Sequence, residues 1–116
     1  MWNEKQLDVY VVSVELAKEL HRPLVELRKV NRELEDQARR ALMSIVLNVA
    51  EGAGKFASSR REQARYYSMA RGSTTELLGC LDLCDAWELL DAEIAASARH
   101  KLDRIAAMLC RLIARA

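Results

Sequence analysis

The stretch Asp36 to Gly52, DQARRALMSIVLNVAEG, constrains this chain more than any other, because its apolar residues occupy nearly the whole circumference of a helix. Leu42, Ile45 and Val49 mark one face, and Met43, Val46 and Ala50 mark a second. A helix apolar along one stripe suits a small bundle, whereas one apolar almost all round needs neighbours on several sides. The expected neighbours therefore include other copies of the chain.

A length of 116 residues suffices for one domain that buries roughly two-thirds of its unfolded surface. Four glycines and one proline are the only strong breakers and strand-forming runs are scarce, so intrinsic preference favours an all-α fold. The charges in MWNEKQLD stand where a signal peptide needs an apolar core, and no run approaches the ~18 apolar residues of a membrane span. A soluble, cytoplasmic protein without a membrane role is expected. Cys80, Cys84 and Cys110 sit at helical positions among Leu and Ala, which reads as reduced core thiols. Cys80 and Cys84 have a spacing that suits a shared metal, but His21 and His100 are remote in sequence, so no metal or other cofactor is expected.

Leu7, Tyr10, Val11, Val14 and Ala17 form one helical stripe and Val9, Val12, Leu16 and Leu20 a second, giving a first helix over about 6–21. Pro23 then ends that helix or restarts the chain at a first-turn position. The segment Leu24 to Glu35 reads either as a helical extension or as a long connection. A second helix over about 33–52 is stopped by Gly52 and Gly54, since a left-handed residue is easiest for glycine. Ser59 with Glu62 three residues later is a capping-box signature that opens a third helix at about 60. It runs to about Leu90, with Tyr66, Ala70, Leu77, Leu81, Cys84 and Trp87 on or near its apolar line. Asp91 caps a fourth, over about 92–114, carrying Ile94, Ala98, Leu102, Ile105, Leu109 and Leu112. Short connections make consecutive helices antiparallel, so the economical assembly is an up-and-down four-helix bundle. Gly72 and Ser73 cost helix propensity in mid-helix but let another backbone approach, which reads as tight packing inside the bundle.

A net charge of +1 conceals a segregation along the chain. From Gln37 to Arg71 seven basic residues (Arg39, Arg40, Lys55, Arg60, Arg61, Arg65, Arg71) face two acidic ones, Glu51 and Glu62. From Gly72 to Ala98 there are six acidic residues and no basic ones, and Arg99 to Ala116 is basic again by five to one. In an antiparallel bundle Arg111 and Arg115 return to Lys55, Arg60, Arg61 and Arg65, making one end basic and the other, with Asp82, Asp85, Glu88, Asp91 and Glu93, acidic. Dipole matching explains the acids and bases of the fourth helix, each worth a few tenths of a kcal/mol up to about 1. It does not explain Arg60 and Arg61, which stand at a helix start where the dipole disfavours cations. Bases beside free amides there suit a phosphate. A solvated face without a ligand and an acidic protein surface are the competing readings. Stacking residues for single strands are few: Phe56, Tyr66 and Tyr67. Asn48 and Glu51 are polar on an apolar helix. Either Lys55 supports Glu51 and Asn48 bonds a neighbouring helix, or both belong to a polar ring around a channel. No nucleophile with its base, metal-binding carboxylate pair or phosphate loop is present, Ser58 and Ser59 read as caps, and no enzymatic activity is expected.

Asp36-Gln37, Arg39-Arg40, Ser44-Ile45, Asn48-Val49-Ala50-Glu51-Gly52, Arg71-Gly72-Ser73 and Glu76-Leu77 together resemble the four helix bundle protein family. That family includes proteins encoded in intervening sequences of bacterial 23S ribosomal RNA genes and the accessory variability determinant of diversity-generating retroelements. The resemblance covers most of the chain and rests chiefly on NxAEG with GS-xx-EL, so Asn48, Glu51, Gly52, Gly72, Ser73 and Glu76 are its motif residues. It implies a four-helix bundle assembled as a barrel-like homopentamer. For the retroelement accessory protein it also implies binding to nucleic acid and to a reverse transcriptase. The expectation is a non-enzymatic homo-oligomeric scaffold that binds RNA, DNA or a ribonucleoprotein through Arg39, Arg40, Lys55, Arg60, Arg61, Arg65, Arg111 and Arg115. The alternative is a protein–protein interaction scaffold with no nucleic-acid role.

Overall fold

A computed structural model describes residues 2–54 and 59–115 and contains four α-helices: α1 (Glu4–Val30), α2 (Arg32–Ala53), α3 (Arg60–Ala86) and α4 (Ala92–Ala114). Each packs against its neighbours in sequence and α1 closes against α4, so the helices run up and down around a square, 43 × 21 × 19 Å overall. None of these helices is long and apolar enough to cross a membrane.

Asn3 starts α1 with a capping box: its Oδ1 accepts from the Gln6 amide at 2.9 Å, and Gln6 Oε1 accepts from the Asn3 amide at 3.0 Å. The helix then passes through Pro23 without ending, which settles the reading of residues 24–30 as an extension. An interior proline costs about 3 kcal/mol, and full burial of a leucine contributes about 1.5–3 kcal/mol. Leu24 and Leu27 are both buried, continuing the line of Leu16 and Leu20 at three- and four-residue spacing, so their burial offsets the proline.

Asn31 is the entire connection between α1 and α2. Its amide donates to the Leu27 carbonyl at 2.8 Å while its Oδ1 accepts from the Leu34 amide at 2.9 Å, so one side chain closes one helix and opens the next. Glu35 lies beside this joint, only 1 % exposed, with its carboxylate taken by Arg28 from α1 at 3.0 Å and by Arg39 from α2. The Arg39 guanidinium holds the Glu35 carboxyl below its ordinary range, opposed by burial and assisted by Arg28.

Gly52 lies inside α2, and Gly54, its C-cap, has an ordinary φ of −74°, so neither glycine serves the left-handed stop the sequence suggested. Gly52 is small for another reason: a Cβ there would stand 2.6 Å from the Tyr67 ring. Tyr67, rather than Tyr66, is the buried tyrosine of α3, and its hydroxyl accepts from Gln6 Nε2 at 2.9 Å, so one ring ties α1, α2 and α3 together.

α3 ends at Ala86, short of the expected Leu90. Glu88 takes φ 54°, its amide bonds the Asp85 carbonyl at 3.2 Å and the Leu89 amide bonds Cys84 at 2.8 Å, a Schellman ending in which Glu88 fills the place usually given to glycine. Trp87 is consequently the C-cap and 56 % exposed, not part of the core line. Asp91 Oδ1 caps α4 through the amides of Glu93 and Ile94. Cys80 and Cys84 are buried free thiols, and burial pushes the Cys84 thiol up to about 11; Cys110, expected in the core, is exposed.

Gly52→Ala overpacks the Tyr67 ring and is expected to cost about 1–3 kcal/mol in urea denaturation, with α-helix content unchanged before the transition. The depressed Glu35 pKa adds stability that is fully present above the unfolded value of about 4.3 and is lost as pH falls through the folded value. Glu35→Gln should therefore be less stable than the parent at pH 7, and the difference should shrink as urea transitions are measured from about pH 5 downward.

Candidate nucleic-acid interface

The start of α1, the end of α2, the start of α3 and the end of α4 meet at one end of the bundle. There the expected basic residues Arg60, Arg61, Arg65, Arg111 and Arg115 come together, while Lys55, Phe56 and Ser58 lie outside the described residues. Ser59 opens α3 by accepting the Glu62 amide on its Oγ at 3.1 Å. Arg61 and Arg65 follow on the outer side of that helix, and Ser59, Arg61, Glu62 and Arg65 enclose a shallow open depression. The Arg65 guanidinium lies 4.9 Å from the Tyr66 ring centroid, a cation–π distance.

Arg60 has a structural reason for its position that the sequence did not disclose. Its Nη1 donates to the Arg115 carbonyl at 3.3 Å, placing a cation at the negative end of α4. The unfavourable start of α3 and the favourable end of α4 are neighbours, and the latter accounts for Arg60. A small cleft of about 80 Å³ between Asn3, Gln6, Arg60, Gln63, Tyr67, Leu112 and Arg115 completes this end; it has room for small ions or waters, not for a nucleotide.

None of Arg60, Arg61, Arg65, Arg111 and Arg115 forms an ion pair among the described residues. α1 also brings Glu4 and Asp8 to this end, which a charge count along the sequence alone did not place there. Arg39 and Arg40 do not belong to the patch. They stand in the first half of α2, toward the opposite end, where Arg39 pairs with Glu35 and Arg40 with Asp36 at 3.2 Å. That opposite end is not purely acidic either. Arg28, Lys29 and Arg32 reach it from the α1–α2 joint, and Arg99 bridges Asp82 at 2.8 Å and Asp85 at 2.6 Å.

The motif residues divide by location. Asn48 Nδ2 donates to the carbonyl and Oγ of Ser44 within its own helix, and Ser73 Oγ donates to the same Ser44 Oγ at 2.7 Å. Asn48 thus reaches α3 through Ser44 rather than directly, forming a short polar seam between α2 and α3. Gly72 is the reverse of the expected tight internal packing: it is exposed, and a Cβ there would meet nothing within 4 Å. Glu51 and Glu76 are exposed.

The model of the 23S rRNA-intervening sequence protein family matches residues 5–111, and the chain belongs to that family. Among curated proteins, none matches the chain.

If Arg60 acts on α4 as the geometry indicates, Arg60→Ala should speed amide hydrogen exchange in the last turn of α4 roughly two- to five-fold, the effect of about 0.5–1 kcal/mol. Arg61→Ala should leave that exchange unchanged.

Proposed function

We propose that this chain is a non-enzymatic homo-oligomeric scaffold, a pentameric ring, that holds the phosphate backbone of RNA or DNA at its basic end. The observation that carries the reading is the group of exposed arginines that form no ion pair among the described residues, Arg61, Arg65, Arg111 and Arg115, beside the first-turn amides of α3. Guanidinium groups and a helix start both favour a phosphate, and neither reads a base edge, so binding follows backbone charge rather than sequence. A single copy presents a weak patch, since Glu4, Glu51 and Glu62 share this end. A ring that repeats the patch five times converts weak sites into polyvalent ones.

Self-association is supported by the faces the bundle leaves uncovered. Leu7 and Val11 of α1 and Met43 and Leu47 of α2 are each close to half exposed. These lie on the outward sides of both helices, and exposed apolar surface of this kind marks an interaction site. The ring size follows the resemblance to the four helix bundle protein family.

A second reading, docking of a partner protein, is favoured by Trp87 and Leu83, exposed apolar side chains beside Asp82, Asp85 and Glu88 at the opposite end. Salt separates the two. Binding of labelled RNA and DNA by the purified protein should weaken steeply and alike for unrelated sequences as salt rises, and Arg61→Ala with Arg115→Ala should reduce both the affinity and the salt slope. No binding at low salt, by a protein whose mass in light scattering is that of a pentamer, would leave the protein-docking scaffold as the function.

A further inference from the structure

The small cleft at the basic end offers donors where its acceptors are already engaged. Asn3 Oδ1 accepts from the Gln6 amide at 2.9 Å and Gln6 Oε1 accepts from the Asn3 amide at 3.0 Å, so the capping box uses both amide oxygens of α1. The Arg115 carbonyl is taken by Arg60 Nη1 at 3.3 Å. That bond leaves the other N–H groups of the Arg60 guanidinium beside the cleft, next to a second guanidinium on Arg115. Glu4, Glu51 and Glu62 share this end of the bundle, but no carboxylate lines the cleft among the described residues.

Tyr67 makes the demand for an acceptor specific. Its ring is only 2 % exposed and its hydroxyl accepts from Gln6 Nε2 at 2.9 Å, while the hydroxyl hydrogen meets no acceptor among the described residues. Burial pushes the phenol pKa up, opposed by the Gln6 hydrogen bond, so the proton is held at neutral pH. A buried donor without an acceptor is costly, and the cleft is the space that Tyr67 borders. The Gln63 side chain, partly buried on the same cleft, likewise donates to nothing among the described residues.

We propose that this cleft is a seat for a phosphate dianion, and that its source is the terminal phosphate of a nucleic-acid strand. The inference rests on the phosphate-backbone reading above and adds to it a preference for strand ends. Charge selects an anion, because two guanidinium groups meet here with no carboxylate. Size selects a small one: the volume of about 80 Å³ is several times the ~10–15 Å³ that one water needs, yet too little for a nucleotide. A backbone phosphate is esterified on two sides and must lead chain out in two directions, which suits an open surface such as that around Arg61 and Arg65. A terminal phosphate leads out in one direction only. It also brings three unesterified oxygens and roughly −1.5 to −2 charge near pH 7, against −1 for a backbone phosphate. Tyr67 and Gln63 then donate to it from within the cleft, and Arg60 and Arg115 from its rim.

The test uses the full chain and labelled strands of one sequence: one with a 5′-phosphate, one with a 3′-phosphate, and one with hydroxyl ends but a nucleotide longer, so that the phosphate count matches. At fixed salt a phosphorylated strand should bind about ten-fold more tightly than the hydroxyl strand, the worth of one hydrogen bond to a charged group. Gln63→Leu keeps the bulk and removes a donor, and Tyr67→Phe keeps the ring against Gly52; each should lose most of that preference with helix content retained. Inorganic phosphate should raise the thermal midpoint of the parent above that in chloride of equal ionic strength, and should do so much less in either variant. Equal affinity for all strands without stabilisation by phosphate would overturn the seat and leave salt-sensitive backbone binding standing. An end preference that both variants keep would also overturn it. Stabilisation by phosphate that both variants abolish, with no preference among strands, would uphold the seat and assign it to free phosphate. Failure of every strand to bind would overturn the backbone reading and the strand-end source together, and the phosphate arm would then decide the seat by itself.

Discussion

The joint at Asn31 is the constraint on which the rest of the bundle depends. With one residue between two helices, α2 has no freedom to choose its neighbour: it must fold back along α1. The Asn31 side chain supplies the turn's capping, and the two guanidinium groups on Glu35 fix it from either side. A carboxylate removed from water needs partners on both oxygens, and here they come from the two helices being joined. Once α1 and α2 are set as a hairpin, their inward stripes form half of the core, and the longer connections let α3 and α4 cover it. Their outward stripes, fixed by the same geometry, stay exposed.

Much of this architecture was legible because helix periodicity survives local interruptions. Leu16, Leu20, Leu24 and Leu27 keep their spacing through Pro23, and that line, read without deference to the proline, gives the full length of α1. What the sequence conceals is which of two stripes faces inward. Val9 and Val11 differ little as residues, yet one is fully buried and the other 45 % exposed. Only the positions of the other helices decide. The end of α3 was hidden for a different reason: it depends on a left-handed glutamate, a conformation seldom assigned to that residue type. Gly52 was legible as important but for the wrong cause, since its partner lies 15 positions away on another helix.

The candidate site shows the same division. Antiparallel topology was enough to bring Arg115 to Arg60 and to place the arginines of α3 and α4 at one end. It also separates Arg39 and Arg40 from them, because those residues are near in sequence only by way of the full length of α2. Charge runs along a chain describe a surface only after the helices are folded back on one another, and here the folding neutralises part of both ends while leaving Arg61 and its neighbours without carboxylate partners among the described residues.

The contact between Gly52 and Tyr67 has a consequence for how this sequence can change. The ring occupies the volume that a side chain at position 52 would need, and its hydroxyl is held by Gln6, so neither position varies freely. Drift at this end of the bundle then proceeds through coupled exchange: a methyl group enters at 52 only as the ring at 67 recedes, and a ring that loses its hydroxyl releases Gln6 from all but its capping role. Three residues on three helices are thus physically coupled, and a change at one alters what the other two positions can hold.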